Sequence, residues 1–141
     1  MCSTSPGSKN SAEEDYCGSC TTCIDACPTG AINNNRTLDA RKCIAYQTLE
    51  AKSQIPADIV ARLDGRIFGC DRCQDVCPWN KNSKPHRTVE FTLPEEVDRM
   101  SAEDWKNLNR KDYKRLFKDS AIGRRSYCRF MDNIEAALAG K

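Results

Sequence analysis

Eight cysteines stand in two linked runs. The first is Cys17-Gly-Ser-Cys20-Thr-Thr-Cys23-Ile-Asp-Ala-Cys27-Pro28. The second is Cys43, then 26 intervening residues, then Cys70-Asp-Arg-Cys73-Gln-Asp-Val-Cys77-Pro78. Thiolate sulfur is a soft ligand, and C-x2-C-x2-C-x3-C-P is a spacing that holds 4Fe–4S cubes. A short C-x2-C-x2-C loop can wrap one cube and supply three of its four ligands. The x3 spacing and the proline send the fourth cysteine away, toward a second cube. This predicts one cluster on Cys17, Cys20, Cys23 and Cys77 and another on Cys27, Cys43, Cys70 and Cys73. The crosswise exchange ties the halves together and holds the cubes close enough for electron relay.

Two other uses of eight cysteines are weaker. Paired C-x2-C motifs could make two all-thiolate zinc sites, but zinc does not account for two C-x3-C-P endings. A disulfide framework belongs to small secreted chains. The opening Met1-Cys-Ser-Thr-Ser-Pro-Gly-Ser lacks the basic and apolar stretches of a secretory leader, so a cytoplasmic setting is expected. Cys2 and Cys128 have no motif partner and read as a free terminal thiol and a buried helical cysteine.

The elements that must position these ligands follow from local pattern. Residues 1–15, rich in Ser, Gly, Asn and acidic groups, read as a disordered lead-in. Residues 16–80 form the cluster domain. Within it Ala31-Ile32 and Thr37-Leu38 should pair as a small hairpin across Asn33-Asn34-Asn35. Asp39 should cap a short helix carrying Cys43, Tyr46 and Gln47. Pro56 to Leu63 reads as an inserted helix, apolar along Ile59, Val60 and Leu63 and closed by Gly65. Residues 81–100 read as an irregular connector. Residues 101–141 read as a helical tail, opened by a capping box of Ser101 with Asp104, then by Asn109 with Asp112, and closed by one helix from about Ser120 to Ala139. The fold class is thus α+β and mostly helical: a two-cluster, bacterial-ferredoxin-like domain with a helical insert and a short helical tail. No apolar run approaches membrane-spanning length.

Charge is uneven. Residues 1–80 carry 8 Lys/Arg against 10 Asp/Glu, and residues 81–141 carry 14 against 10. Residues 106–129 hold nine basic side chains opposed only by Asp112 and Asp119. Such a run is either a solvated helix face or a track for nucleic-acid phosphates. Lys111, Lys114, Arg115 and Lys118 share one face by helical spacing, and Arg124 and Arg125 extend the run. Trp105 and Tyr113 read as core rather than as base-stacking platforms, and the lone His86 as a surface residue.

The runs from Cys17 to Ile32, from Leu38-Asp-Ala-Arg-Lys-Cys43 to Tyr46, and from Ile67-Phe-Gly-Cys70 to Cys77-Pro-Trp79-Asn80 resemble epoxyqueuosine reductases. The 26-residue gap and the Cys-Pro-Trp-Asn ending separate them from generic ferredoxins. The resemblance extends over residues 16–139, including a HEAT-like helical tail, although Asp132-Asn133 stands where Arg-Asn is the family pattern. It implies two 4Fe–4S clusters that relay electrons to a cobalamin, in the reduction of epoxyqueuosine to queuosine at the tRNA wobble position. It also implies contact with the tRNA anticodon arm and an external electron donor. The family's cobalamin-binding domain and its catalytic acid have no counterpart in these residues, so no catalytic residue carries over. The chain is expected to be the C-terminal piece of a longer protein or a split-gene product, inactive alone. The competing readings are a stand-alone two-cluster electron-transfer protein and an RNA-binding module stapled by its clusters.

Overall fold

The computed structural model describes residues 15–139, so most of the lead-in and Cys2 lie outside the described residues. The fold is mostly helical. In chain order come α1 (Thr22–Asp25), α2 (Ile44–Leu49), α3 (Ala57–Val60), α4 (Arg72–Asp75), α5 (Glu95–Asp98), α6 (Ala102–Lys106), α7 (Arg110–Phe117) and α8 (Tyr127–Ala139), with short 3-10 turns between them. Among the described residues no helix is long and apolar enough to cross a membrane.

The expected hairpin reduces to one antiparallel bridge, Ile32 with Leu38. Its ends are closed by Asn33 N–H donating to Thr37 O at 2.9 Å and Asp39 N–H donating to Ala31 O at 2.8 Å. Among the described residues, the strand content implied by an α+β class is therefore a single residue pair. Asp39 does cap the next element by accepting from Arg41 N–H, but that element is a 3-10 turn over Ala40–Lys42. Cys43 follows it in extended conformation and only then does α2 begin. The inserted helix is one turn long. It starts after Pro56 as the sequence requires, and Ile59 and Leu63 are buried. The chain then turns through Asp64 and Gly65, both at positive φ.

The connector is more ordered than its composition suggests, because α5 places Val97 in the core. Both caps of the tail form. Ser101 Oγ accepts from Asp104 N–H at 3.2 Å while the Asp104 carboxylate accepts from Ser101 N–H at 2.8 Å. Asn109 Oδ1 accepts from the amides of Lys111 and Asp112 at 2.9 Å each. Each cap satisfies amides that a helix start leaves unpaired and stabilises by about 1 kcal/mol.

The expected long final helix is broken. Ala121–Arg124 is a 3-10 turn and Arg125 is extended before α8 starts. Tyr113 lies in the way: its hydroxyl sits 2.8 Å from the carbonyl oxygens of both Ile122 and Arg125. Gly123 makes this turn possible, since a Cβ there would stand 2.1 Å from the Phe117 carbonyl oxygen. Gly123→Ala should therefore destabilise by about 1–3 kcal/mol through forced backbone movement, read as a lower denaturant midpoint at unchanged m-value.

Two cores hold the fold. Val97, Leu108, Tyr113, Phe117, Phe130 and Ile134 make the first, with Trp105 stacked on Phe117 at a 6.3 Å centroid distance. Ile44, Ile59, Leu63 and Ala137 make the second. Helix α8 contributes to both, and Ile67 packs against both. Tail and insert are thus one packed body. Cys128 is exposed, contrary to its expected burial: it lies on the outer side of α8, with Arg110 Nη2 at 3.6 Å from its sulfur.

Candidate metal centres

The two cysteine runs fold as copies of one module. In each, a residue with φ near −110° precedes a one-turn helix that carries the third cysteine, Cys23 in α1 or Cys73 in α4. The amide of Asp25 donates to Thr21 O at 3.0 Å, and that of Asp75 to Asp71 O at 2.9 Å. The amides of Cys27 and Cys77 close the turn on Ile24 O and Gln74 O, each at 3.2 Å. One-turn helices arise because C-x2-C-x3-C-P admits only a single turn before proline removes the next amide donor. Helices α1 and α4 pack against each other, so the modules stand face to face.

Cys27, Cys43, Cys70 and Cys73 line one cavity of about 250 Å³, walled by Pro28, Ala31, Ile32 and Ile44. It is a largely apolar chamber in which every chemically soft group is one of four thiols. Among the described residues, no three His, Cys, Asp or Glu side chains converge tightly enough for a single metal ion. A chamber ringed by spaced sulfurs fits a polynuclear cluster, whose corners keep its ligands apart. Of the other four, Cys17 and Cys20 are exposed, while Cys23 and Cys77 are half-buried like the cysteines of the cavity. Their neighbourhood is closed by an aromatic clasp. Trp79, two residues after Cys77, donates its indole N–H to the carbonyl of Tyr16 at 3.3 Å, and the two rings meet edge to face at 5.7 Å. The clasp brings the end of the second run to the start of the first. Arg36, at positive φ, pairs with Asp15 and reaches Gly18 O, which fixes the same loop.

Several sulfurs are hydrogen-bonded. Thr22 Oγ1 lies 3.3 Å from Cys20 Sγ, and the hydroxyl and amide of Thr22 lower the Cys20 pKa. Ala31 N–H donates to Cys27 Sγ at 3.3 Å. Burial raises the Cys27 pKa, but hydrogen bonds from the amides of Ala31, Thr29 and Ile32 and the Thr29 hydroxyl together outweigh it, and the net shift is downward. Burial pushes the Cys73 thiol up. Metal ligation requires thiolates, so cluster uptake releases these protons. Bonds to sulfur also tune cluster potentials.

The predicted basic face divides. Lys111, Lys114 and Lys118 are exposed, the last with Asp119 at 3.7 Å. Arg115 is held in a two-armed pair with Glu96 at 2.6 and 2.7 Å and also touches Asp112. Arg124 reaches Glu50 at 3.5 Å, and Arg125 donates to Ala51 O at 2.8 Å. Tyr113 is core, and Trp105 packs against the same core. His86 is exposed, edge-on to Phe91. Tyr16 and Arg36 had no sequence signal: neither lies in a motif, and their partners are fixed only by the fold.

Residues 16–80 match the family described as a 4Fe-4S double cluster binding domain. The epoxyqueuosine reductase of Cyclobacterium marinum is 42% identical over 125 residues, 89% of this chain and 39% of that protein. That of Leadbetterella byssophila is 48% identical over 110 residues, covering 78% and 35%. The solved epoxyqueuosine reductase of Bacillus subtilis superposes with a TM-score of 0.80 at 34% identity, covering 91% of this chain and 34% of that one. A crystal structure of epoxyqueuosine reductase with an epoxyqueuosine-modified tRNA-Tyr stem loop gives the same score. The chain spans about 40% or less of the length of these relatives. By sequence and by fold, this chain is similar to about a third of the length of the epoxyqueuosine reductases, and its residues 16–80 match the double-cluster family.

Proposed function

We propose that the chain holds two 4Fe–4S clusters, on Cys17, Cys20, Cys23 and Cys77 and on Cys27, Cys43, Cys70 and Cys73, and relays electrons for the cytoplasmic reduction of epoxyqueuosine to queuosine in tRNA. The observation that carries this reading is the cavity ringed by Cys27, Cys43, Cys70 and Cys73. Three of those ligands come from one module and the fourth from the other, as the crossed assignment requires. When bound, the clusters supply one-electron transfer. The chain's own residues orient the thiolates, line the second site with apolar side chains and aim amide and hydroxyl dipoles at sulfur.

Electrons pass from an external donor to a cobalamin-bearing partner, in the same polypeptide or another. Tyr16 and Trp79, 65% and 66% exposed beside the first site, and the exposed Val89, Phe91 and Leu93 supply an apolar contact surface for that partner. The tail, read as a HEAT-like support, presents Lys111, Lys114 and Lys118 to the anticodon arm, joined at its edge by Arg124. Arg115 and Arg125 keep protein partners and contribute less.

Titration of unmodified tRNA against the anaerobically reconstituted chain tests the RNA contact. Reversing Lys111, Lys114 and Lys118 to Glu should flatten the dependence of log K on log salt by about 2–3, one increment per lost phosphate contact, with iron content unchanged. Full cluster loading with no salt-dependent binding would favour the second reading, a stand-alone two-cluster electron carrier. The exposure of Cys17 and Cys20 supports that alternative, because it leaves one site open to direct exchange with another protein.

A further inference from the structure

Helix α2 runs directly from Cys43, and its C-terminal carbonyls need partners, as those of any helix end do. Tyr46 O receives the amides of Glu50 and Ala51. The next two carbonyls are satisfied from the tail: Arg129 Nη2 donates to Gln47 O at 3.3 Å and Asn133 Nδ2 to Thr48 O at 2.9 Å. Arg125 adds a bond to Ala51 O at 2.8 Å. Arg129 and Asn133 stand four residues apart on α8, and Arg125 joins them from the extended residue that precedes the helix.

Asn133 does more than cap. It is 0% exposed, and its amide also donates to Ile67 O at 3.1 Å. Ile67 lies on the arm that ends in Cys70. On the same arm Gly69, at φ +79°, donates its N–H to Thr48 Oγ1 at 2.9 Å, while Thr48, also 0% exposed, donates that hydroxyl to Ile44 O at 2.8 Å. The arm carrying Cys43 and the arm carrying Cys70, separated by 26 residues, are therefore joined by two side chains, Thr48 from α2 and Asn133 from the tail.

We propose that Asn133 is a positioning residue for the second cluster. Its amide group, beside the Thr48 hydroxyl, sets the separation of Cys43 and Cys70, so the tail governs retention and potential of that cluster and not of the one on Cys17, Cys20, Cys23 and Cys77. This rests on the two-cluster reading above.

The test uses the full reconstituted chain, anaerobically, with iron removal by a chelator followed over time and a redox titration beside it. Asn133→Leu keeps the number of side-chain heavy atoms and removes the donors. It should speed release of about half the iron on the order of tenfold, as two lost hydrogen bonds of ordinary strength would, and shift one midpoint potential. The other half and the other potential should stay. Thr48→Val, which removes the hydroxyl between Gly69 N–H and Ile44 O but leaves both Asn133 bonds in place, should affect the same half more weakly and serves if Asn133→Leu does not fold. Val97→Ala, a core change remote from α2, should lower thermal stability without separating the phases. Adding Cys70→Ala should abolish the fast phase and so identify it as the second cluster. Uniform acceleration of all iron, or no change in either phase, overturns the proposal. A wild-type chain that takes up no iron overturns the cluster reading itself and the proposal with it.

Discussion

Replacing Cys77 with alanine is expected to empty the cluster of the first cysteine run, distant in sequence, and to spare the one that Cys70 and Cys73 help hold. Cys77 follows the α4 turn, where its own module sends it outward, and the Tyr16–Trp79 clasp returns the chain beyond it to the loop before Cys17. Iron content should fall from about eight to about four per chain. A double-mutant comparison sharpens this. Adding Cys20→Ala to Cys77→Ala should cost no further iron, because both serve one cube, whereas adding Cys70→Ala should remove the remainder. The reverse pattern would show that each module keeps its own fourth cysteine.

The largest loss of stability is expected at Phe130. It is 1% exposed, and its ring meets those of Tyr113, Phe117, Trp105 and Phe68 at centroid distances of 5.3, 5.6, 6.1 and 6.3 Å. Phe130→Ala removes the common member of that cluster and should cost about 3–5 kcal/mol, a large part of the roughly 5–15 kcal/mol that holds a domain together. Phe130 lies on α8, which also seats Ala137 in the insert core, so the loss should reach the cluster domain. Denaturant unfolding followed by aromatic circular dichroism and by cluster absorbance should give coincident transitions, both moved to lower denaturant. Separate transitions would mean that the tail folds as its own unit.

What the sequence made legible was local. Ligand chemistry resides in single residue types, and C-x2-C-x2-C-x3-C-P fixes one geometry whatever surrounds it. The caps at Ser101 and Asn109 likewise depend on groups within three residues. The insert helix could be located by Pro56 but not measured, because Leu63 enters the core through a turn rather than a longer helix. Long-range partners were out of reach. The break before α8 comes from Tyr113, the exposure of Cys128 from which side of α8 meets the core, and the division of the basic run from Glu96, Glu50 and the end of α2. Counted along the chain, nine cations looked like one run, with four of them on one face. In the fold some of them hold the protein together.

The distance between Cys43 and Cys70 bears on the order in which the molecule assembles. Three ligands of the first site lie within seven residues, so an emerging chain can gather them with little loop entropy. The second site has only Cys70 and Cys73 close together. Its Cys43 must return across a span some nine times that of an x2 link, an added closure entropy of about 2 kcal/mol, before α2 has the tail to hold its far end. The first site can therefore gather three of its ligands on a nearly unfolded chain and waits only for Cys77, whereas the second can gather only Cys70 and Cys73 before the rest of the domain is in place. Under iron limitation the population should divide into chains with one cluster and chains with two, and the one-cluster chains should be those whose tail has not docked.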